Sequence, residues 1–258
     1  MASAALGRRI PLPPWLQGKG FVGIDAPDDG NCFYIALADA LYGSRDMLWD
    51  HNQPLATITR INKATNQQAV IRGLRNEVAR SLTLHQVEQW YAAWDRAGQT
   101  LGGDVDAALD PVFHTIHGNN GQATRADVRA TKDIIRRVGP PPPPLFWAEE
   151  YSIGTIEKLF KVRVVVINSN EQNGKFSPTP WQDEAPALFI TLLFDGKHYE
   201  ALSHSAEGGP VRSVWTWAEL PGALKTPYCG YVPAEKQRLF GLDCAAPAAV
   251  PAAPTAAP

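Results

Sequence analysis

The sequence predicts an α+β fold with a small central β-sheet flanked by helices. Three observations carry that expectation. Apolar residues at helical spacing crowd the first half of the chain, and strand-like apolar runs crowd the second. Asp195-Gly196 between two apolar runs is a strong signal for a hairpin turn.

Taken in order, residues 1–18 read as an N-terminal extension of Pro-rich character. Phe21 to Ile24 is a short strand leading into Asp28-Asp29-Gly30-Asn31, residues that favour tight turns. From Cys32 a helix is expected to about residue 42, since positions 33, 36, 37, 40 and 41 form an apolar stripe. Residues 43–65 look polar and irregular. Helical spacing returns at Ile71, Leu74, Val78 and Leu82, and again at Leu84, Val87, Trp90, Tyr91 and Trp94. Gly98 to Asp110 is turn-rich, and Thr124-Arg125-Ala126-Asp127 matches a capping box opening a helix that reaches Val138.

Pro140 to Pro144 end that helix and enforce an extended segment. A helix near 148–160, a strand at 162–167 and the hairpin around Asp195-Gly196 follow. These elements suggest a main domain over 19–204. Residues 205–243 hold Trp215, Trp217, Leu220, Leu224, Tyr228, Tyr231 and Phe240, too aromatic for a linker and expected to pack on that domain. Residues 244–258 are mainly Ala and Pro and read as a disordered tail.

Composition narrows the functional classes. With 258 residues, 45% hydrophobic, the chain can build a substantial core. A net charge of −2 argues against nucleic acid or an anionic membrane as the main partner. No apolar run approaches a transmembrane length, and prolines interrupt the stretch a secretory signal would need. Three scattered cysteines imply no disulfide framework, so a reducing cytosol is expected, its own or that of a host into which the chain is delivered as an effector.

The chemistry centres on Cys32. A thiol at a helix N-terminus feels the positive end of the macrodipole, which favours the nucleophilic thiolate. Backbone N–H groups of the same turn can receive a developing oxyanion. A distant histidine is needed as base, and His198 at the start of the strand after Asp195-Gly196 is the candidate. Glu200 lies two residues on, shares the face of His198 and can orient its imidazole. Asp25 is the alternative orienter. His204, in a Ser-rich loop, is the rival base, and His114-Thr115-Ile116-His117 lacks the further ligands of a metal site. Cys229 and Cys244 are expected to be chemically silent.

Asp29-Gly30-Asn31-Cys32-Phe33-Tyr34 with the late His198-Tyr199-Glu200 resembles the ovarian-tumour (OTU) family of cysteine proteases. Leu74-Arg75-Asn76-Glu77-Val78 is similar to that family's Leu-Arg-x-x-Val helix. Phe146-Trp147-Ala148-Glu149-Glu150 is similar to its tryptophan-led start of a later helix, with Ala148 where Gly is usual. Leu159 to Ile167 is similar to the helix end and buried strand that follow. The resemblance spans roughly residues 21 to 203.

The resemblance implies a papain-related fold and a deubiquitinase. Cys32 would be nucleophile, His198 base and Glu200 orienter, in a place where the family usually has Asn or Asp. Asp29 would shape the oxyanion-binding loop. The implied partners are ubiquitin, polyubiquitin chains or ubiquitin-like proteins, and no cofactor or metal is implied. Two other readings keep the same motifs: a ubiquitin-binding module without turnover, and a viral protease that processes its own polyprotein.

Overall fold

The computed structural model describes residues 10–26, 31–58, 67–99, 107–138, 146, 150–172, 174–205 and 211–244. Strand β1 (Phe21–Ile24) precedes a helical layer of α1 (Cys32–Gly43), α2 (Arg45–His51), α3 (Gln53–Ile58), α4 (Gln67–Ser81), α5 (Leu84–Arg96), α6 (Asp110–Gly118), α7 (Arg125–Arg136) and α8 (Glu150–Phe160). Then come β2 (Val162–Asn168), β3 (Leu188–Phe194), β4 (Tyr199–His204), β5 (Val214–Trp215), α9 (Gly222–Tyr231) and α10 (Ala234–Phe240). The architecture is α+β, with one small mixed sheet.

The sheet runs β1-β4-β3-β2, and β5 pairs the start of β3. β2 lies parallel to β3, with α-helical chain before it and a long connection after it, whereas β3 and β4 form the antiparallel hairpin. β1 pairs β4 with Phe21 opposite His204 and Ile24 opposite Ala201. Alternation along the strands divides the buried residues between two cores. Val164, Val166, Ile190, Leu192 and Ala201 face the helical layer, where α1 contributes Phe33, Ala36, Leu37, Ala40 and Leu41. Val165, Ile167, Phe189, Leu193 and Leu202 face the other side.

Ile10, Leu16, Trp215, Leu220, Leu224, Tyr228 and Val232 cover that second side. Where it is described, the segment expected as an N-terminal extension is therefore part of a core, because Ile10 and Leu16 have apolar sheet to bury against. The segment 43–65, expected to be irregular, holds α2 and α3. Asn52 joins them to the helical layer: its Nδ2 donates to the Phe160 carbonyl at 2.6 Å and its Oδ1 accepts from the Leu55 N–H. That tertiary anchoring overrides weak local periodicity. At α7 the Thr124 and Asp127 capping box forms in both directions.

Cys229 and Cys244 are joined by a disulfide, which corrects the expectation that both are unpaired. α9 and α10 turn back on each other and bring the two Cα atoms to 5.5 Å. An odd cysteine count concealed one disulfide and one thiol outside it. The pairing also removes the compositional argument for a reducing compartment. Among the described residues no helix is long and apolar enough to cross a membrane. The proline run 140–144, Trp147 and Ala148, and the tail after Cys244 lie outside the described residues.

Candidate active site

Cys32 is the first residue of α1, buried, and the one cysteine outside a disulfide. Its neighbour Asn31 is the helix N-cap, yet the Asn31 side chain makes no cap hydrogen bond. Its Oδ1 instead accepts from Nη2 of Arg75 at 2.7 Å. Arg75 is fully buried on α4. Its fork also donates to the carbonyls of Ile135 and Phe146, and the guanidinium lies 4.2 Å from the Tyr34 ring centroid. Tyr34 in turn donates to Ser152 on α8. The first turn of α1 is thus fastened directly to α4 and α8, and through Arg75 to Ile135 and Phe146. Asp29 lies outside the described residues, so its part in the loop stays an expectation.

His198 is set by the hairpin turn. The Asp195 side chain accepts from the backbone N–H groups of Lys197 and His198, each at 2.9 Å, and Gly196 takes φ +98°. That turn conformation suits Gly and explains why Asp-Gly stands here. The next residue, Tyr199, stacks on Phe194 and meets Phe33 edge-on at 5.4 Å between centroids. Phe33 follows Cys32, so one aromatic contact brings the start of α1 against the strand that begins just after His198. Cys32, Glu150, Ser177, Thr179, Lys197 and Tyr199 help line a cleft of about 250 Å³ there.

The imidazole of His198 is buried, and neither ring nitrogen has a hydrogen-bond partner among the described residues. Thiol and imidazole are therefore not hydrogen-bonded to each other here. Such bonds commonly tighten only once substrate is bound. A donor atom from each of Asp25, His198 and Glu200 lies within 4.8 Å of the other two. Glu200 and Asp25, the two orienters considered from sequence, thus both reach the histidine's surroundings.

Glu200 is fully buried, and its Oε1 accepts from the Ile10 N–H at 2.8 Å. Space for the longer side chain comes from Gly23 on the neighbouring strand. A β-carbon at 23 would collide with Glu200 Oε2. Continuing the β1–β4 register places Asp25 opposite Glu200. Two carboxylates and one imidazole are also a donor set that suits a divalent transition metal. The same grouping is also what a base with carboxylates to orient it requires, with no ion involved.

The other histidines are elsewhere. His204 ends β4, about 20 Å along the strand from His198, and packs on Phe21. His114 pairs with Asp110, and His117 with Asp95 and the Tyr91 hydroxyl. Among the described residues, Asp25, His198 and Glu200 form the one three-residue group able to hold a metal.

Sequence reasoning did not identify Gly23, Ile10 or the Arg75–Asn31 bond as parts of the site. A glycine inside a strand pattern does signal close backbone approach and could have pointed to Gly23. Nothing local in the sequence links Arg75 to Asn31.

No known family's sequence profile matches the chain, and no curated protein matches it. Solved structures do. An OTU domain in complex with ubiquitin is 15% identical, with TM-score 0.37 and 78% of each chain covered. The OTUD1 OTU domain is 15% identical, with TM-score 0.36 and coverage of 73% of this chain and 89% of that one. The viral OTU domain protease from Farallon virus is 16% identical, with TM-score 0.33 and coverage of 72% and 85%. At these values the functional reading rests on the chain's own residues.

Proposed function

We propose that this chain is an OTU-type cysteine protease that hydrolyses isopeptide bonds at the C-terminus of ubiquitin or a ubiquitin-like protein. The observation that carries the reading is a thiol outside any disulfide at the start of α1 and a buried histidine at the β3–β4 turn, on two elements that meet through Phe33 and Tyr199. The substrate class comes from the motif resemblance around Cys32 and His198.

In the mechanism, His198 takes the Cys32 proton and the thiolate attacks the carbonyl carbon of the substrate's terminal glycine. Backbone N–H groups at the start of α1 receive the oxyanion, each such donor being worth about 2.7–4 kcal/mol. As the tetrahedral intermediate collapses, the C–N bond breaks and His198 protonates the leaving lysine amine. Water then hydrolyses the thioester with His198 again as base. A carboxylate beside the imidazole fixes its tautomer and stabilises the imidazolium that forms, a part given to Glu200 with Asp25 beside it.

A ubiquitin derivative bearing a C-terminal electrophile tests the reading. The expected result is a one-to-one covalent adduct on Cys32 that is lost in Cys32→Ala. Reversible binding with no adduct would favour the binding-module reading, which the missing thiol–imidazole hydrogen bond keeps in view. Neither binding nor adduct would remove ubiquitin as the substrate.

A further inference from the structure

We infer that Arg75 is a positioning residue for acyl transfer at Cys32: through Asn31 it fixes the start of α1, whose backbone N–H groups receive the oxyanion. The inference rests on Cys32 as the acyl-accepting nucleophile, and does not require ubiquitin as the substrate.

Three observations lead to it. Asparagine is among the best N-cap residues, and a cap is worth about 1 kcal/mol to a helix. Asn31 occupies the N-cap of α1 but makes no cap bond, and its Oδ1 accepts from Arg75. The Asn31 side chain is thus held by α4 instead of capping its own helix.

Arg75 is also buried completely, and burying a cation carries a desolvation penalty of several kcal/mol. An apolar residue would satisfy the packing of α4 at less cost. What the guanidinium adds is a planar fork whose direction is fixed by acceptors. Two of these are the carbonyls of Ile135, near the end of α7, and Phe146, shortly before α8.

The third acceptor is the residue next to the nucleophile. Charge-assisted bonds of this kind are shorter and about twice as strong as neutral ones. Arg75 thus ties the position of Asn31 to two segments of the helical layer. Cys32 follows Asn31 directly, so the aim of its N–H depends on how Asn31 is held. A displacement of about 1 Å at such a position can cost about 100-fold in rate.

Two reactions of the same thiol separate positioning from general support of the fold. With p-nitrophenyl acetate, Sγ attacks the ester carbonyl, a tetrahedral oxyanion forms, the C–O bond breaks and p-nitrophenolate leaves. With iodoacetamide, the new C–S bond expels iodide and no oxyanion forms. Cys229 and Cys244 are in a disulfide, so without reductant Cys32 is the one thiol either reagent meets, and Cys32→Ala supplies the blank for reaction at histidine and lysine.

For Asn31→Ala, which leaves Arg75 its two carbonyl acceptors, acylation should fall about 10- to 100-fold while alkylation changes less than about 3-fold. Arg75→Lys should show the same split, and the double variant should lose no more than the worse single one. If Arg75→Lys fails to fold in a thermal melt, Asn31→Ala decides alone. Equal losses in both reactions, unchanged acylation in Asn31→Ala, or losses that multiply in the double variant would overturn the inference. So would a wild-type Cys32 that is not acylated. Absent turnover of ubiquitin substrates, by contrast, sinks only the substrate reading and leaves this comparison intact.

Discussion

Gly23 leaves open the space into which the carboxylate of Glu200 extends from the neighbouring strand, and a β-carbon at 23 would strike its Oε2. Glu200 carries one methylene more than the Asn or Asp usual at this place in the resembling family. The missing β-carbon on β1 is what accommodates it beside His198. Gly23→Ala should therefore disturb the site without changing the fold. We expect kcat to fall about 10-fold with KM nearly unchanged, and Glu200→Asp to restore part of the loss in that background. Steady-state kinetics on a fluorogenic ubiquitin C-terminal substrate would show this, and unaltered kcat in Gly23→Ala would mean that the Glu200 carboxylate does not orient the base.

The two carboxylates should differ in weight. Glu200 is fully buried two residues after His198, whereas Asp25 is partly exposed. Glu200→Gln keeps the shape and removes the charge, so it should lower kcat about 10- to 100-fold, and Asp25→Asn by less. The reverse order in the same assay would make Asp25 the orienter. Activity should also survive a chelator, since neither role needs an ion; its loss on chelation, restored by a divalent metal, would assign the three groups to a metal.

Much of this arrangement is legible in the sequence where the signal is local. The Asp195-Gly196 turn, the capping box at Thr124 and the apolar stripe of α1 each depend on neighbours within a few residues. Cys32 and His198 are recognisable because each sits at such a junction. What could not be read depends on contacts distant in sequence: Ile10 on Glu200, Arg75 on Asn31, Asn52 on Phe160. The disulfide is of the same kind, since three cysteines allow several pairings and only the return of α10 onto α9 selects one.

Removing that disulfide should cost stability but not chemistry. It closes a loop of 15 residues, for which the chain-entropy contribution is about 3 kcal/mol. Cys229→Ser/Cys244→Ser should lower Tm by several degrees while Cys32 keeps its alkylation rate. Truncation before Cys244 should do the same, as it also removes the disulfide. An unchanged Tm in the double variant would mean that the disulfide does not constrain the unfolded chain.

Alkali should act through Tyr228. Burial pushes its phenol up to about 12, while the neighbouring Arg163, which donates to its oxygen, pulls the other way. The folded value lies above the usual one near 10, so the fold favours the neutral phenol. Its contribution to stability is complete below pH 10 and is lost as pH rises through about 12. Denaturant melts should show stability falling across that window, with a shallower fall in Tyr228→Phe. An identical slope in the variant would remove Tyr228 as the cause.

The central claim is that Cys32, with His198 as its base, hydrolyses a ubiquitin isopeptide bond. Gel-resolved cleavage of purified diubiquitin chains by the wild type, Cys32→Ala, His198→Ala and His204→Ala tests it most directly. The account predicts monoubiquitin from the wild type, none from Cys32→Ala, a loss of at least about 100-fold in His198→Ala and a mild effect in His204→Ala. Cleavage that persists in a folded Cys32→Ala, or a wild type that cleaves no chain of any linkage, would contradict it.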